Sequence, residues 1–456
     1  MDYRLAHRVG LLILSLSYFS ISYLAAATLA SQQSKVNSYL LTFDNYQVFI
    51  DWMIIPYSTS ILFYCYSFIG SKNFADLTAL LAKLSWAVFL ACSLFVFFPA
   101  KFSTPQPEIH GEFFALWYSL LWSFDSPFNQ APSLHVIFCV IFYSEFKKFI
   151  RRQTALRFLQ AWLVLVALST WFTYQHHSID IISGVIVGLG INYAIKNPQH
   201  ISASILLMIS GISLIVARFV QQDTPLLALA AYYLWLSLAL ISLIYQYNQP
   251  KLLGKSQASF SVLGWLCFAP YLLAYKALWS INNLIINQQS ETTSEATSPC
   301  AGISWITDKL QVGPRLTQAK LACLPNSVTM IDLSAEVAEI AGVPSHQYKS
   351  FPMLDLQTPC FEVMTAAARE VNAQLSNQQA VYLHCAMGYS RSFLIAAIYL
   401  VAYKNYSVTE AKDYLETLNH HMKLPQSYIS DNDLRLIAQH CTLLDINVDF
   451  KDAVYE

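Results

Sequence analysis

Apolar and polar positions divide the chain into two parts of different character. From the N-terminus to about residue 285, apolar stretches follow one another with short polar breaks, whereas charged residues return after residue 286. A stretch of about 18 or more mostly apolar residues is long enough to cross the core of a bilayer. Spans are predicted near residues 9–30, 48–69, 77–98, 131–146, 158–174, 178–195, 201–219, 225–245 and 259–282. The first part is therefore predicted to be an α-helical polytopic membrane domain.

The second part alternates between patterns that are typical of strands and of helices. Short apolar runs predict buried strands over Val328–Leu333 and Ala380–His384. Apolar periodicity predicts helices over Cys360–Leu375, Ser392–Tyr403 and Val408–Leu418. Such alternation over about 150 residues indicates an α/β domain.

A polar segment separates the two parts. After Ile286 it contains Gln, Ser, Glu and Thr without aromatic residues or aliphatic periodicity, which is typical of a linker. The predicted organisation is a membrane domain over residues 1–285, a linker over 286–299 and an α/β domain over 300–456.

Composition agrees with this division. Hydrophobic residues make up 55% of the chain and charged residues 12%, whereas a soluble domain carries about 25% charged residues. The net charge of −1 gives no indication of a nucleic-acid partner. The nine cysteines form no C-x-x-C pairs and have no histidines at metal-ligand spacing, so neither a metal, a cofactor nor a disulfide framework is predicted.

The basic residues predict an orientation in the membrane. The break richest in Lys and Arg is Phe146–Arg157, and basic loops remain on the cytoplasmic side. The breaks at 99–130 and 175–177 then lie outside, on a common face of the membrane.

Those two outer breaks contain polar groups that enter spans, where an ionisable side chain is costly and is a functional candidate. His176 and Asp180 are spaced by one helical turn, so the carboxylate can fix one imidazole tautomer and make it a better nucleophile or base. His135 enters the neighbouring span and could protonate a leaving oxygen. Ser133 could hold a phosphate oxygen.

Residues 132–135 (Pro-Ser-Leu-His) and the His176-x-x-x-Asp180 spacing resemble the second and third signatures of the type 2 phosphatidic acid phosphatase (PAP2) superfamily. The resemblance implies a PAP2-like helical core that acts on lipid phosphates. It also implies that His176 forms a phosphohistidine, that Asp180 orients it and that His135 is the acid.

The sequence departs from that family where phosphate-neutralising arginines are expected. Gln106 stands where the first signature has Arg, with only Lys101 nearby as a candidate phosphate ligand, and Thr170 replaces the Arg before the third signature. Sphingolipid synthase-like members also lack this pattern. A lipid-headgroup transferase with a regulatory phosphatase domain, a weakened hydrolase, and a degenerate core that serves as an anchor therefore remain open.

The second part carries a more complete phosphate site in residues 384–392 (His-Cys-Ala-Met-Gly-Tyr-Ser-Arg-Ser), between a predicted strand and helix. A loop at a helix N-terminus points its amides at an anion and stabilises the Cys385 thiolate. Arg391 can grip two phosphate oxygens in a fork, and Ser392 can donate to the thiolate and help it leave. Gly388 allows the tight backbone, and Gly388 and Ser390 are predicted to line the phosphate.

This loop resembles the dual-specificity branch of the protein tyrosine phosphatase superfamily, and the resemblance covers roughly residues 305–425. It implies hydrolysis through a cysteinyl-phosphate intermediate. It also implies an Asp general acid about thirty residues before the Cys, a place that Asp355 fits. Asp332 is the rival, at the end of a predicted strand.

The substrate and the side of the membrane remain open from sequence. A neutral loop favours phosphotyrosine or phosphoserine/threonine in proteins, but a membrane-tethered domain could equally reach phospholipid headgroups. The span at 259–282 contains Pro270 and Lys276 and could lie in the interface. No Lys or Arg follows it before Lys309, which favours crossing and an outer phosphatase domain. A reactive thiolate favours the cytoplasm.

Overall fold

The computed structural model describes residues 3–33, 35–71, 73–109, 111–196, 201–292, 302–325, 327–340, 343–344, 347–418 and 429–452. The chain forms two compact units, Met1–Ser242 and Leu243–Glu456. This division falls well before the predicted domain boundary at residue 285, so the ninth predicted span belongs to the second unit.

The first unit is helical. Its elements in chain order are α1 (Tyr3–Ser31), α2 (Ile54–Ser58), α3 (Ser60–Ile69), α4 (Phe74–Phe97), α5 (Glu112–Phe124), α6 (Leu134–Phe146), α7 (Gln153–Phe172), α8 (Ser178–Ala194), α9 (Ile201–Val220) and α10 (Pro225–Gln246), whose last residues belong to the second unit.

Several of these helices have the length and composition of membrane spans. In the part of the chain that the structure describes, seven helical stretches meet that criterion. They include Leu5–Ser31, Phe74–Phe97 and Pro225–Gln246. The spans predicted at 131–146 and 178–195 correspond to α6 and α8, which are apolar but shorter.

Two glycines of α8 allow it to lie directly against α6. A Cβ on Gly184 would fall 2.9 Å from the carbonyl oxygen of Ser133, and one on Gly188 would fall 2.9 Å from Cβ of Val140. At the N-terminal end of α6 the Ser133 amide donates to the carbonyl of Asp180 at 3.0 Å. The N-termini of α6 and α8 are therefore neighbours.

The second unit combines strands and helices. Its elements are β1 (Lys255–Ser256), β2 (Ser259–Phe260), α11 (Val262–Thr292), β3 (Ser304–Thr307), β4 (Leu310–Pro314), β5 (Val328–Ser334), β6 (Tyr348–Met353), α12 (Phe361–Ser376), β7 (Ala380–Cys385), α13 (Ser390–Tyr403), α14 (Val408–Leu418) and α15 (Asp431–Asp452). The strands predicted for β5 and β7 and the helices predicted for α12 to α14 are confirmed, with α13 beginning two residues earlier than predicted.

A five-stranded mixed sheet of order β3-β4-β7-β5-β6 organises this unit. The pairs β4–β7, β7–β5 and β5–β6 are parallel, and β3 is antiparallel to β4. Because β7 is central and buried along most of its length, residues 380–383 form an apolar run, which the buried His384 follows. The carboxyl end of β7 carries Cys385, at the edge where ligands bind in parallel sheets.

Two features differ from the sequence prediction. The segment from residue 286 was predicted as a linker, but α11 continues through it to Thr292. Its Gln and Glu residues are good helix formers, which a reading based on apolar periodicity overlooks. Residues 293–299 of the predicted linker lie outside the described residues. In addition, Cys323 is disulfide-bonded, which the scattered cysteines did not indicate.

Candidate active site

The phosphate loop forms where β7 ends and α13 begins. Cys385 lies at its base, 2% exposed, and its Sγ accepts from the backbone N–H of Gly388 at 3.3 Å and from Oγ of Ser392 at 3.1 Å. Ser390 is the first residue of α13 and is half-buried beside the loop. The helix N-terminus and these donors favour an anion at the Sγ position.

Gly388 is required by the backbone of this loop. Its φ is +79°, and a Cβ at this position would fall 2.5 Å from the backbone nitrogen of Pro314. Any other residue would be strained and would push the loop away from β4.

Arg391 is held under the loop with donors still available. It is 1% exposed, and Nη1 donates to Oε2 of Glu336 and to the carbonyl of Met353, each at 2.7 Å. Among the described residues, its Nε has no hydrogen-bond partner. Burial would lower the pKa of Arg391, but the carboxylates of Glu336 and Asp355 outweigh burial and raise the pKa well above its ordinary value. Arg391 is therefore a permanent cation with an unsatisfied donor, as anion binding requires.

Asp355 lies on the loop that follows β6, next to Arg391. Its Oδ1 is 3.4 Å from Nη2 of Arg391, and its backbone N–H donates to Oε1 of Glu336 at 2.6 Å. Glu336 thus fixes the guanidinium and the Asp355 loop together. Burial raises the pKa of Glu336, and the Asp355 charge adds to this, while Arg391 opposes it. Glu336 was not predicted from the sequence, where its signal is an acidic residue just beyond a buried strand.

Asp332, the rival to Asp355, is engaged elsewhere. Its Oδ2 accepts from Nζ of Lys255 at 2.5 Å and from the hydroxyl of Tyr348 at 2.6 Å. Burial would raise the pKa of Asp332, but Lys255 and then His384 outweigh it and hold the pKa below its ordinary value. Asp332, Glu339 and His384 are close enough to share a metal ion, but the Lys255 ammonium already neutralises Asp332.

Tyr275 of α11 also lies in this site, which the sequence did not indicate. Its hydroxyl donates to Oδ2 of Asp355 at 2.6 Å and accepts from Nη2 of Arg391 at 3.1 Å. The Tyr275 hydroxyl is therefore hydrogen-bonded both to a donor of Arg391 and to the carboxylate of Asp355, which is predicted to be the acid.

The first unit brings together most of the residues predicted for a histidine site. Nδ1 of His176 is 3.4 Å from Oδ2 of Asp180, and the ring centroids of His135 and His176 are 6.4 Å apart. The Ser133 hydroxyl is buried and has no hydrogen-bond partner among the described residues. The spacing that predicted one face for His176 and Asp180 is consistent with this geometry.

The two positions that depart from the PAP2 pattern, Gln106 and Thr170, are uncharged, and Lys101 is the nearby cation in sequence. Nζ of Lys101 lies over the ring of Phe128, 5.7 Å from its centroid. The Thr170 hydroxyl donates to the carbonyl of Ala167 within its own helix. Gln106 lines a cavity of about 200 Å³ that Asp125 also lines.

Asp125 connects this cavity to the histidine site. Its Oδ2 accepts from the hydroxyl of Tyr57 at 2.6 Å, and the Tyr57 ring packs on His135 with centroids 4.4 Å apart. The hydroxyl of Tyr23 also donates to Asp125. The sequence marked the segment containing Asp125 as polar but gave no role to this residue.

Comparisons with known proteins identify the domain around Cys385. Residues 317–431 match the model of the dual specificity phosphatase catalytic domain. Similar solved structures include the human tyrosine phosphatase-like serine/threonine/tyrosine-interacting protein (14% identity, TM-score 0.26, 32% of this chain and 97% of that one). Another is PTPMT1 in complex with PI(5)P (16% identity, TM-score 0.26, 32% and 99%). Human DUSP28 is a third (15% identity, TM-score 0.25, 30% and 94%). No curated protein matches the chain.

The second unit thus contains a dual specificity phosphatase catalytic domain, and such a domain implies a phosphatase hydrolase that acts on a phosphorylated substrate. The matched residues all lie in the second unit, and no family match supports the PAP2 resemblance of the helical first unit.

Proposed function

We propose that this protein is a membrane-bound phosphatase that hydrolyses phosphate monoesters through a cysteinyl-phosphate intermediate at Cys385. One observation carries the proposal: the Cys385 sulfur accepts two hydrogen bonds at the base of a loop beside the buried Arg391, whose Nε is unsatisfied. Both features favour a dianionic phosphate above the sulfur.

In the first step the Cys385 thiolate attacks phosphorus, and the bond from phosphorus to the ester oxygen breaks. Asp355 gives its proton to the leaving oxygen, so the product departs as a neutral alcohol or phenol. Arg391 and the loop amides, with Gly388 and Ser390 lining the phosphate, hold the equatorial oxygens as charge develops on them.

In the second step water attacks the phosphocysteine. The Asp355 carboxylate accepts the proton of that water, the bond between sulfur and phosphorus breaks, and inorganic phosphate leaves. Ser392, whose hydroxyl is 3.1 Å from Sγ, donates to the departing thiolate and makes it a better leaving group.

We place the first unit in a membrane as a multi-pass domain. Its candidate spans support this, as do large apolar side chains that are open to the surroundings, among them Phe158 at 70%, Ile186 at 64% and Leu226 at 83% exposure. Such surfaces are unusual in water-soluble monomers. The phosphorylated partner is a phosphoprotein or a phospholipid, and no feature of the charge distribution favours nucleic acid.

The test is phosphate release from an aryl phosphate by the purified full-length protein and by Cys385→Ser. The proposal expects release by the parent protein and a loss in the variant on the order of 10³-fold or more. Unchanged release in the variant would refute the assignment of Cys385.

A second function is favoured by one specific observation, the convergence of His135, His176 and Asp180 with the unpartnered Ser133 hydroxyl. We propose a PAP2-like site for lipid phosphates in which His176 is the nucleophile, Asp180 orients it, His135 is the acid and Ser133 binds phosphate. Lys101 is the remaining candidate for a phosphate contact.

A lipid and phosphopeptide panel on His176→Ala and Cys385→Ser separates the two sites. Loss of a lipid product in His176→Ala alone supports the second site. A labelled lipid product without free phosphate in the parent would favour a headgroup transferase. If the parent and His176→Ala had the same activity on every lipid and phosphopeptide of the panel, the helical core would serve only as a membrane anchor.

A further inference from the structure

One face of α11 is directed at the active site. The buried positions Phe268, Tyr271, Tyr275, Trp279 and Asn283 recur with helical spacing. On the C-terminal side of Tyr275, further contacts link this helix to the domain. Trp279 donates from Nε1 to the carbonyl of Arg315 at 3.3 Å, and the Arg315 guanidinium stacks on the indole at 4.5 Å.

Two further hydrogen bonds connect the phosphate loop to Arg315 and to α11. The backbone N–H of Arg315 donates to the carbonyl of Ala386 in the loop at 3.2 Å, and the hydroxyl of Tyr389 donates to Oδ1 of Asn282 at 2.9 Å. With Tyr275 in place, Nη2 of Arg391 and Oδ2 of Asp355 are both occupied. A substrate phosphate can bind Arg391 in a fork only after Tyr275 moves away.

The opposite face of α11 is apolar and exposed. At about 100° per residue, it lies across the helix from Tyr275. Its large aliphatic side chains range from 53% exposed at Ile281 to 77% at Val262. These side chains are Val262, Leu263, Leu266, Leu273, Ile281 and Leu284. Lys276 is at the border of this face, where a long basic side chain can reach water or a lipid phosphate.

Both ends of α11 are attached to the same domain. Immediately before the helix, Lys255 forms its buried ion pair with Asp332, and the carbonyl of Ala258 accepts from the Glu339 backbone N–H at 2.7 Å. Near the other end, Asn282 contacts the phosphate loop. A crossing helix would place these flanks on opposite sides of a bilayer, and would set Arg391 and Asp355 against hydrocarbon. The apolar composition that makes Val262–Ile285 a candidate span therefore does not indicate that this helix crosses the membrane.

The short connection between α10 and α11 indicates that a lipid surface covers the exposed aliphatic face. The candidate span α10 ends at Gln246, and only a short loop and the β1–β2 hairpin separate it from Val262. The helix thus begins near a membrane face. One face of α11 is aliphatic, the opposite face contacts the protein, and Lys276 lies at the border between them. A helix of this kind is suited to the lipid–water interface.

We propose that α11 lies in the membrane interface instead of crossing the membrane, and that it is a lid whose Tyr275 closes the Cys385 site until a lipid surface binds its aliphatic face. The site then opens at the membrane surface, and its substrate class is the phosphate monoester of a lipid headgroup. This rests on the proposed phosphatase function of Cys385 and extends it to a substrate class.

The position of the lid is tested by labelling with a membrane-impermeant maleimide in sealed vesicles that hold the full-length protein. Cys360, exposed and after α11, reports one flank, and an introduced Leu252→Cys, also exposed, reports the other. Peptide mapping should show both labelled from the same side. Labelling from opposite sides would show that α11 crosses and would overturn the proposal, whatever the activity of Cys385.

The closing of the site is tested with para-nitrophenyl phosphate in detergent. Tyr275→Phe keeps the ring and removes the hydroxyl bonded to Arg391 and Asp355. Because hydrogen bonds to charged groups are the stronger ones, the variant should raise kcat/KM about tenfold. An unchanged or lower value would contradict the lid.

The substrate class is tested by phosphate release from phosphatidylcholine vesicles that contain one tenth phosphatidic acid. Each protein is paired with a version that also carries Cys385→Ser. The difference between the two rates of release is the Cys385-dependent rate. Changing Leu266, Leu273 and Leu284 together to Gln should lower that rate at least about tenfold, since each loses buried apolar area at the interface. Hydrolysis of para-nitrophenyl phosphate should persist.

A matched control changes three exposed leucines elsewhere in the unit, Leu418, Leu436 and Leu443, to Gln and should leave the vesicle rate within twofold. Equal losses in both triple variants would contradict the proposal. So would a change of oligomeric mass in the α11 variant with an unaltered vesicle rate, because the aliphatic face would then bind a second copy. If the parent released no phosphate from para-nitrophenyl phosphate or lipid, the proposed function itself would fail, and the labelling result would still stand.

Discussion

Arg391 and Glu336 form a buried ion pair, with 2.7 Å between Nη1 and Oε2, and the other oxygen of Glu336 accepts the backbone N–H of Asp355 at 2.6 Å. One carboxylate thus positions both the phosphate-binding cation and the loop that carries the proposed acid. Removing it leaves a charge in the interior without its partner.

Glu336→Ala should therefore lower the free energy of unfolding by about 3–5 kcal/mol, and Glu336→Gln by less because it keeps an acceptor. Both should lower kcat/KM for an aryl phosphate. Denaturant unfolding of the detergent-purified protein measures the first effect. Glu362→Ala, at an exposed position, should change stability by less than about 0.5 kcal/mol. Equal stabilities of Glu336→Ala and Glu362→Ala would refute the coupling.

Asp355→Asn removes the proton that the leaving oxygen takes in the first step. With phosphate esters of poor leaving groups, kcat should fall by about 10²–10⁴. With esters whose leaving group needs no proton, the loss should be much smaller. Rates across a series of leaving-group pKa values measure this dependence. Asp413→Asn, at an exposed helix position, is the control. A uniform loss across the series would argue against Asp355 as the acid.

His384 makes the stability of the second unit dependent on pH. Burial would lower its pKa, but Asp332 and Glu339 outweigh burial and raise it above the ordinary value of 6.5. A raised folded-state pKa means that the stabilising contribution of the charged His384 is fully present below the unfolded pKa. The contribution is lost as the pH rises through the folded pKa.

The thermal stability of the parent relative to His384→Gln should therefore be greatest near pH 6 and shrink as the pH increases above 6.5. Thermal unfolding followed by tryptophan fluorescence at pH 6, 7, 8 and 9 measures the difference. A difference that grows with pH would mean that His384 is buried as the neutral imidazole.

The local parts of this molecule follow from its sequence. Strand β7, the phosphate loop and helix α13 are contiguous, so apolar periodicity and the spacing from Cys385 to Arg391 contain all that is needed to predict them. The one-turn spacing of His176 and Asp180 is likewise local.

The parts that escaped prediction depend on distant segments. Glu336 and Tyr275 reach Arg391 from 55 and 116 positions away in sequence, and no pattern marks either of them. The helix α11 has the composition of a span because hydropathy sums over all faces of a helix. The buried aromatic face and the exposed aliphatic face together give the value of a membrane crossing.

The most direct test of the account is to trap the covalent intermediate. Ser392→Ala should slow the second step more than the first, so phosphoenzyme accumulates when the variant is mixed with a ³²P-labelled aryl phosphate and quenched in acid. We predict acid-stable label on the peptide that contains Cys385, and none there in Cys385→Ser. Phosphate release without label on that peptide would contradict it.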